Sequence, residues 1–260
     1  FSDTLSMYPV QDSEKWFEIP VVATNICDYD RSFGVEVDDK ASNAIEKKQY
    51  VVESNTVTIK AGERVAKFRM KGVYENIGKT DSLSVTFNLL AKDENIWDLY
   101  GTRTRVQMQK ACPFELSTFE GYCLLTSSFF SAYMTNTEHR LLQAERDKAE
   151  DNTIILHDFF YKNYDLKIKY DPSDPLKPFV EFDEQIIGST AEAFGTIYGN
   201  GKLMCDQPVA YDSYYNVCQK FVILYTTIYV VGKGTVGTYV NILEWISDEE
   251  AEQYKKEEGL

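Results

Sequence analysis

The chain has 260 residues, of which 43% are hydrophobic and 14% are aromatic, enough apolar material for one large or two ordinary packed domains. It carries 27 Lys and Arg residues against 41 Asp and Glu residues, a formal net charge of −14. This charge opposes binding to nucleic acid or to an anionic membrane surface. The longest apolar run, Phe221 to Val231, has about half the length that a membrane-spanning helix requires.

The first part of the chain contains short segments in which apolar and polar residues alternate. In the clearest of them, Ser82 to Leu89, every second residue is apolar, as expected for a strand with one buried face. Short strands at this spacing are typical of a β-sandwich. We therefore expect an immunoglobulin-like sandwich in this part of the chain. Because Pro113 interrupts strand pairing, we place the sandwich at residues 1–111. The other predicted strands here are Trp16 to Thr24, Phe33 to Val37, Thr56 to Ile59, Val65 to Met70 and Arg103 to Gln109.

The second part, residues 112–260, continues with strands. Two long apolar segments, Lys220 to Val231 and Val236 to Ile246, are separated by only four residues, which predicts an antiparallel hairpin. Strands of this length suit a lipocalin-like antiparallel barrel or coiled sheet. Glu138 to Arg146 is compatible with a helix or a strand, and we predict a strand. Ser247 begins a capping pattern for a short C-terminal helix. Shorter strands are predicted at Gly121 to Thr126, Thr153 to Phe159, Tyr164 to Tyr170 and Pro178 to Phe182.

The cysteines do not form a recognisable metal or disulfide pattern. Their number is odd and no two of them have Cys-x-x-Cys spacing, which is unlike a zinc site or a disulfide scaffold. We expect mostly buried thiols and leave open a Cys112–Cys123 or a Cys205–Cys218 bridge. The five residues are Cys27, Cys112, Cys123, Cys205 and Cys218.

Several motifs that could indicate catalysis or a cofactor have simpler interpretations. Gly232 to Gly237 matches the dinucleotide pattern G-x-G-x-x-G, but β-branched and aromatic residues follow it where a helix should begin. It therefore predicts a hairpin turn. His139 and His157 lack metal-ligand spacing, and Asp38-Asp39 alone is weak evidence for calcium. We expect no cofactor and no metal.

Glu181, Asp183 and Glu184 lie together beside aromatic residues, and a pair of carboxylates is sufficient for glycoside hydrolysis. In a chain with 41 acidic residues, such a group is also expected by chance, and a solvent-exposed strand edge is the better interpretation. A carboxylate-based glycoside hydrolase is consequently the third functional hypothesis.

The segment Tyr211 to Asn216 combines three aromatic residues with small polar ones. Tyrosine rings stack on sugar rings, and the polar groups could hydrogen-bond to hydroxyls. We predict Tyr211, Tyr214 and Tyr215 as ligand-binding residues. The alternative is that these tyrosines pack over the end of the barrel.

Two stretches of the chain resemble known bacterial modules. Tyr50 to Val52, Thr56 to Glu63 and Val65 to Met70 resemble the immunoglobulin-like or Calx-β-like N-terminal modules of Bacteroidetes surface lipoproteins. The second half is similar to the domain of unknown function that follows such modules. The segments that carry this second resemblance are Ala111 to Phe114, Gly188 to Gly199 and Val240 to Asp248.

This resemblance implies an exported lipoprotein at the outer membrane or cell surface, attached to the membrane only through a lipid anchor that would precede Phe1. It implies no catalytic residue. Taken together, these features predict a non-catalytic cell-envelope binding module whose partner is a glycan or another surface protein. A structural or adhesion component of a surface assembly is the second hypothesis.

Overall fold

The computed structural model describes residues 1–92, 101–134, 136–175 and 177–259. The chain divides into two compact units, Phe1–Cys112 and Pro113–Leu260, and each is described by itself. The fold is mainly β in both units.

The first unit is an immunoglobulin-like β-sandwich. In its described residues, β1, β8, β7, β3 and β5 form one sheet in that order, and β2, β6 and β4 form the other. β1 pairs with β8 in parallel, whereas the other pairings are antiparallel. The strands are β1 (Leu5–Val10), β2 (Phe17–Val22), β3 (Arg31–Val37), β4 (Tyr50–Val52), β5 (Thr56–Ile59), β6 (Val65–Gly72), β7 (Leu83–Leu90) and β8 (Arg103–Lys110).

The sandwich core follows from the alternation in the strands. In β7, Val85 and Phe87 are buried, and Phe87 packs edge-on against Phe68 of β6, with ring centroids 4.9 Å apart. Ser84 and Thr86, on the opposite side of β7, are also buried. Their backbone N–H groups donate to the side chains of Asn43 and Ser42, so this segment continues along the edge of β7.

The second unit consists of strands, three α-helices and one 3-10 helix in its described residues. A 3-10 helix, Leu116–Phe119, precedes the first strand. The strands are β9 (Gly121–Ser127), β10 (His139–Arg146), β11 (Thr153–Leu156), β12 (Leu166–Asp171), β13 (Phe179–Glu181), β14 (Gln185–Ser189), β15 (Lys202–Asp206), β16 (Tyr214–Asn216), β17 (Phe221–Val230) and β18 (Gly234–Trp245). The helices are α1 (Ser128–Tyr133), α2 (Thr190–Phe194) and α3 (Asp248–Glu258).

Eight of the described strands close into an antiparallel barrel. The order is β17, β16, β13, β12, β11, β10, β9 and β18, and β18 pairs with β17 to complete the ring. β15 also pairs with the C-terminal half of β17, beyond the part that pairs with β16. The β14–β15 hairpin therefore extends the wall next to β16.

The barrel interior is packed with apolar side chains. Val222, Leu224 and Ile228 of β17 are fully buried and alternate with residues on the outer face. At one end, Phe119 stacks on Tyr170 at 4.6 Å and meets Trp245 edge-on at 5.0 Å. The core of this unit is the barrel interior itself.

The β17–β18 hairpin and α3 have the conformations that the sequence predicts. Gly232 and Gly234 have φ angles of 72° and 119°, which L-residues with side chains rarely adopt. The Gly232–Gly237 motif thus forms part of the hairpin turn and the first residues of β18. Ser247 caps α3 in a capping box with Glu250, and Tyr254 of α3 reaches the backbone of His139.

The predicted fold class is confirmed, including the strand at Glu138 to Arg146, but the cysteine expectation needs correction. Cys123 and Cys205 are free and buried, so neither of the two bridges that we left open forms. Both occupy inward-facing strand positions, where burial raises the pKa of the thiol. Cys112 and Cys218 are disulfide-bonded.

None of the helices in the described part of the chain has both the length and the apolarity of a membrane span.

Candidate ligand-binding face of the barrel

β16 carries two of the three predicted binding tyrosines and lies between β13 and β17. Tyr214 is opposite Phe179 of β13 and opposite Ile223 of β17. Because neighbouring residues of a strand point to opposite faces, Tyr214 lies on the outer face of the barrel wall and Tyr215 lies inside. The three predicted tyrosines therefore do not share one face.

Tyr215 belongs to the barrel core. It is only 4% exposed, and its ring lies 5.2 Å from that of Tyr170 and 5.7 Å from that of Phe119. Its hydroxyl donates to the backbone oxygen of Asp171 at 3.2 Å, and burial raises its pKa to about 12. The assignment of Tyr215 to a binding surface is corrected, since its strand position turns it inward.

The other two tyrosines are exposed and held in place by aromatic neighbours. Tyr211 is 52% exposed and stacks on Tyr225 of β17, with ring centroids 5.0 Å apart and planes 20° apart. Tyr214 is 40% exposed and meets Phe221 edge-on at 6.3 Å. We call Tyr211, Tyr214, Phe221 and Tyr225 the tyrosine platform.

Ser213 holds the backbone of the tyrosine platform. Its buried hydroxyl accepts a hydrogen bond from the Tyr225 N–H at 3.0 Å. Its carbonyl oxygen accepts one from the Val180 N–H at 3.0 Å. Ser213 thus connects β13 and β17 on either side of β16, and the small polar residue between Tyr211 and Tyr214 has a structural role.

A groove of about 600 Å³ lies on the outer face of β12 and β13. It is lined by residues of β12 and β13, by the segment that leads into β14 and the first residue of β14, by the β10–β11 turn and the first residue of β11, and by Gln207 after β15. We call it the polar groove. Its lining is Glu150, Thr153, Lys167, Ile168, Lys169, Glu181, Phe182, Asp183, Gln185 and Gln207.

The charges in the polar groove are only partly neutralised within the protein. The Lys167 ammonium contacts the Asp147 carboxylate and lies 3.9 Å from Glu150. The hydrogen bond to Asp147 raises the pKa of Lys167 and lowers that of Asp147. Among the described residues, Lys169, Glu181 and Asp183 have no ion-pair partner. These three groups are available to a ligand.

Gln185 keeps the groove wall in place. Its side-chain oxygen accepts from the Lys167 N–H at 2.8 Å, and its amide donates to the carbonyl oxygens of Lys167 and Asp183. The Gln185 side chain thus bonds to both backbone groups of Lys167, as a residue of a neighbouring strand would. This bonding holds the backbone of Lys167 against that of Asp183 across the groove.

The three acidic residues that suggested hydrolase chemistry, Glu181, Asp183 and Glu184, do not all lie in the same site. Glu181 and Asp183 line the polar groove, but Glu184 does not. Glu184 accepts a hydrogen bond from Tyr229, which raises the pKa of Tyr229 to about 12. The three neighbouring carboxylates therefore do not converge on one point.

The remaining predicted features have local partners. His157 lies between Asp165, at 3.0 Å, and Glu145, at 3.5 Å, and His139 contacts Thr126. Asp38 pairs with Arg103 and accepts from backbone N–H groups in its own turn. No group of three or more His, Cys, Asp or Glu side chains that could hold a metal occurs in the described ranges.

Sequence reasoning missed the residues that brace the platform and most of the groove. Tyr225 and Phe221 belong to an apolar strand in which both faces carry large side chains. A signal was present in β12, where Lys167 and Lys169 alternate with buried residues. Their position beside Glu181 depends on the pairing of Lys169 with Glu181 across β12 and β13.

Known proteins with similar structures include bacterial proteins of low sequence identity. An auxiliary nutrient binding protein from Bacteroides thetaiotaomicron has 10% identity and a TM-score of 0.34, over 94% of this chain and 91% of its own. A protein of unknown function from Bacteroides ovatus has 9% identity and a TM-score of 0.37, over 93% and 86%. The calcium binding domain CBD12 of CALX1.1 has 12% identity and a TM-score of 0.34, over 58% and 76%.

No curated protein is significantly similar to the chain. A sequence family does match, over residues 99–257, and it is described as a domain of unknown function, DUF4984. This match includes nearly the whole second unit and confirms the resemblance of that half to a domain of unknown function. The chain belongs to the DUF4984 family.

Proposed function

We propose that this protein is an exported, non-catalytic binding protein for glycans, and that the tyrosine platform and the polar groove form its binding site. The observation that carries the proposal is the pair of braced, exposed tyrosines, Tyr211 and Tyr214, on one face of a rigid barrel. An aromatic ring presents an apolar face to the C–H groups of a sugar.

Bracing makes the tyrosine rings effective as a binding surface. Tyr225 covers one face of the Tyr211 ring and leaves the other exposed. A ring that is already held in place loses little conformational entropy when a ligand binds. Tyr225 belongs to the long strand β17, and its backbone N–H donates a hydrogen bond to the Ser213 hydroxyl. The support of the Tyr211 ring therefore extends into the barrel wall.

The polar groove supports the same class of ligand. Lys169 can donate hydrogen bonds, and Glu181 and Asp183 can accept them, which matches a ligand with many hydroxyl groups. Hydrogen bonds to charged groups are about twice as strong as neutral ones. The groove is also of the size typical of small-ligand sites, roughly 300–1,000 Å³.

Export is supported by the cysteines. Cys112 and Cys218 are disulfide-bonded, and disulfides form mainly in oxidising compartments such as the periplasm or the cell surface. A lipid anchor and an outer-membrane position are part of this proposal. Fractionation of cells that express the full-length protein tests it, and recovery of the protein in the cytosol would contradict it.

A glycan array with the whole chain tests the binding function, and calorimetric titration of the bound glycans then gives affinities. We expect the Tyr211→Ala/Tyr214→Ala variant to lose binding and the bound glycan to be recovered unchanged. Tyr198→Ala is the matched control, since Tyr198 is an equally exposed tyrosine elsewhere on the same unit. Unaltered affinity in the double variant, or cleavage of the glycan, would refute the proposal.

A further inference from the structure

We infer that the tyrosine platform and the polar groove act together on one sugar unit, and that this unit carries no acidic group. The inference rests on the proposed function and specifies its substrate class: the protein recognises a single neutral or basic sugar residue, free or within a glycan. Strand pairing supports both parts, because it brings the tyrosine rings close to the carboxylates of the groove.

Glu181 of the groove and Tyr214 of the platform are near neighbours across β13 and β16. Phe179, which shares the outer face of β13 with Glu181, pairs with Tyr214. The Val180 N–H donates to the Ser213 carbonyl oxygen at 3.0 Å, so the antiparallel register continues beyond this pair towards Glu181. Tyr214 is therefore a diagonal neighbour of Glu181, at a typical distance of about 7–8 Å, which an aromatic side chain can span.

The braced ring of Tyr225 is level with Glu181, two strands away. Tyr214 pairs with Ile223 of β17. When the two registers are extended by two residues, Asp212 lies opposite Tyr225 on one side and opposite Glu181 on the other. Neighbouring strands are about 4.7–4.9 Å apart, so about 10 Å separates the backbone of Glu181 from that of Tyr225.

The loop that carries Tyr211 is fastened to the chain on both sides of Glu181. The backbone N–H that follows Glu181 donates to the side-chain oxygen of Gln207, where the loop begins, at 3.3 Å. The backbone N–H that precedes Glu181 donates to the carbonyl oxygen of Ser213, where the loop ends, at 3.0 Å. Both ends of the loop thus lie at the groove, and its stacked rings, Tyr211 on Tyr225, belong to the same part of the wall.

These short separations fit a single sugar ring. A ring that stacks on Tyr214 or Tyr211 has its hydroxyl groups at its edge, within reach of the Glu181 carboxylate. Lys169, the register partner of Glu181 across β12 and β13, can donate to the same edge. Stacking and charge-assisted hydrogen bonds then act on one unit, and the further units of a longer glycan would add little.

Negative charge dominates around this unit. Glu181, Asp183 and Asp212 are all exposed, and none of them has an ion-pair partner within the part of the chain that the structure describes. Lys169 opposes these three charges with one, because the neighbouring ammonium of Lys167 already contacts a carboxylate. The carboxylates accept hydrogen bonds from hydroxyl and amino groups, whereas an acidic sugar would bring a further negative charge among them and is disfavoured.

Titration of methyl glycosides, monitored by NMR, tests both parts of the inference. The panel contains the methyl glycosides of glucose, galactose and mannose, the corresponding uronic acids, and an unbranched trisaccharide of each neutral sugar. We expect the recognised neutral glycoside to bind within roughly 3-fold of the affinity of its trisaccharide, and at least about 10-fold more tightly than its uronate. Glu181→Gln and Tyr214→Ala should each weaken binding of the methyl glycoside about 10-fold, because each removes a contact with the same unit.

Asp183→Asn/Asp212→Asn tests the effect of charge. It should raise the affinity for the uronate relative to that for the neutral glycoside, because it removes two of the three carboxylates. Asp12→Asn/Asp39→Asn, which removes the same charge from exposed residues of the sandwich unit, is the control and should leave this ratio unchanged.

Three results would contradict the inference in distinguishable ways. If only longer glycans bind, or if Glu181→Gln leaves the affinity for the methyl glycoside unchanged, recognition of a single unit is wrong while the proposed function stands. Equal affinity for a uronate and its neutral counterpart would overturn the selectivity against acidic sugars. If neither this panel nor a glycan array contains a ligand, the proposed function is wrong as well.

Discussion

The two sides of the barrel wall at β16 differ in what their aromatic residues do. Tyr215 faces inward, is 4% exposed and contacts Phe119 and Tyr170. Tyr214, the preceding residue, faces outward and is 40% exposed. Inside, aromatic rings are buried on every side and stabilise the fold. Outside, they are held by one neighbour and keep a surface free, so their contribution to stability is small and their availability to a ligand is large.

The largest expected effect tests this contrast directly. Tyr215→Ala should lower the free energy of unfolding by about 3–5 kcal/mol, as for other buried aromatic residues. Tyr214→Ala should lower it by roughly 1 kcal/mol or less, because surface changes are usually small. Denaturant unfolding of both variants measures the difference.

Tyr215→Phe separates the ring from the hydroxyl. It keeps the packing and removes only the hydrogen bond to Asp171, which should cost about 1 kcal/mol. Similar losses for Tyr214→Ala and Tyr215→Ala would show that the two sides of the wall are energetically alike.

A second, smaller effect concerns the polar residues inside the barrel. Buried Asn241 donates to the Leu224 carbonyl oxygen and to the Thr226 hydroxyl, and it accepts from the Ser127 hydroxyl at 2.6 Å. Asn241→Ala leaves these groups without partners and should cost about 1–3 kcal/mol. Thermal unfolding measures it, with Thr238→Ala on the outer face of the same strand as control. If Asn241→Ala left the stability unchanged, water would have to replace the amide as the hydrogen-bond partner of these groups.

The smallest effect is expected for the ion pair between the exposed Lys167 and the buried carboxylate of Asp147. The pKa of Asp147 is lowered from its ordinary value of 3.8, chiefly by the hydrogen bond from Lys167. A lowered carboxyl pKa stabilises the fold above the unfolded-state value, and this contribution is lost as the pH falls through the folded-state value. Asp147→Asn should therefore lower the Tm slightly at neutral pH.

The difference in Tm between the wild type and Asp147→Asn should shrink below a pH of about 4. Asp151→Asn, in the same turn, is the control for the removal of one negative charge. A constant difference for Asp147→Asn across this range would show that the pair makes no electrostatic contribution.

Long elements with a regular pattern could be predicted from the sequence. The alternation of Ser82 to Leu89 corresponds to β7, and the long hairpin around Gly232 corresponds to β17 and β18. Each of these patterns reflects a local rule: period two in a strand, or glycine where φ is positive. The prediction succeeded wherever many consecutive residues obeyed the same rule.

Several other short elements could not be predicted in this way. β16 has three residues and β14 has five, and α1 is a single short helix rich in aromatic residues. Three residues cannot show a period, and β16 exists because β13 and β17 provide partners on both sides. β1 was missed for a similar reason, since it is defined by its parallel pairing with β8.

For the candidate site, the sequence determined the residue types: a group of tyrosines with small polar neighbours, lysines that alternate along β12, and an acidic segment after β13. It could not determine which of these groups share a surface. The direction in which Tyr215 points, the bracing of Tyr211 by Tyr225 and the position of Glu181 beside Lys169 were decided by strand pairing. The physical reason is that a one-residue change of register moves a strand's side chains to the opposite face, and register depends on partners that are distant in the chain.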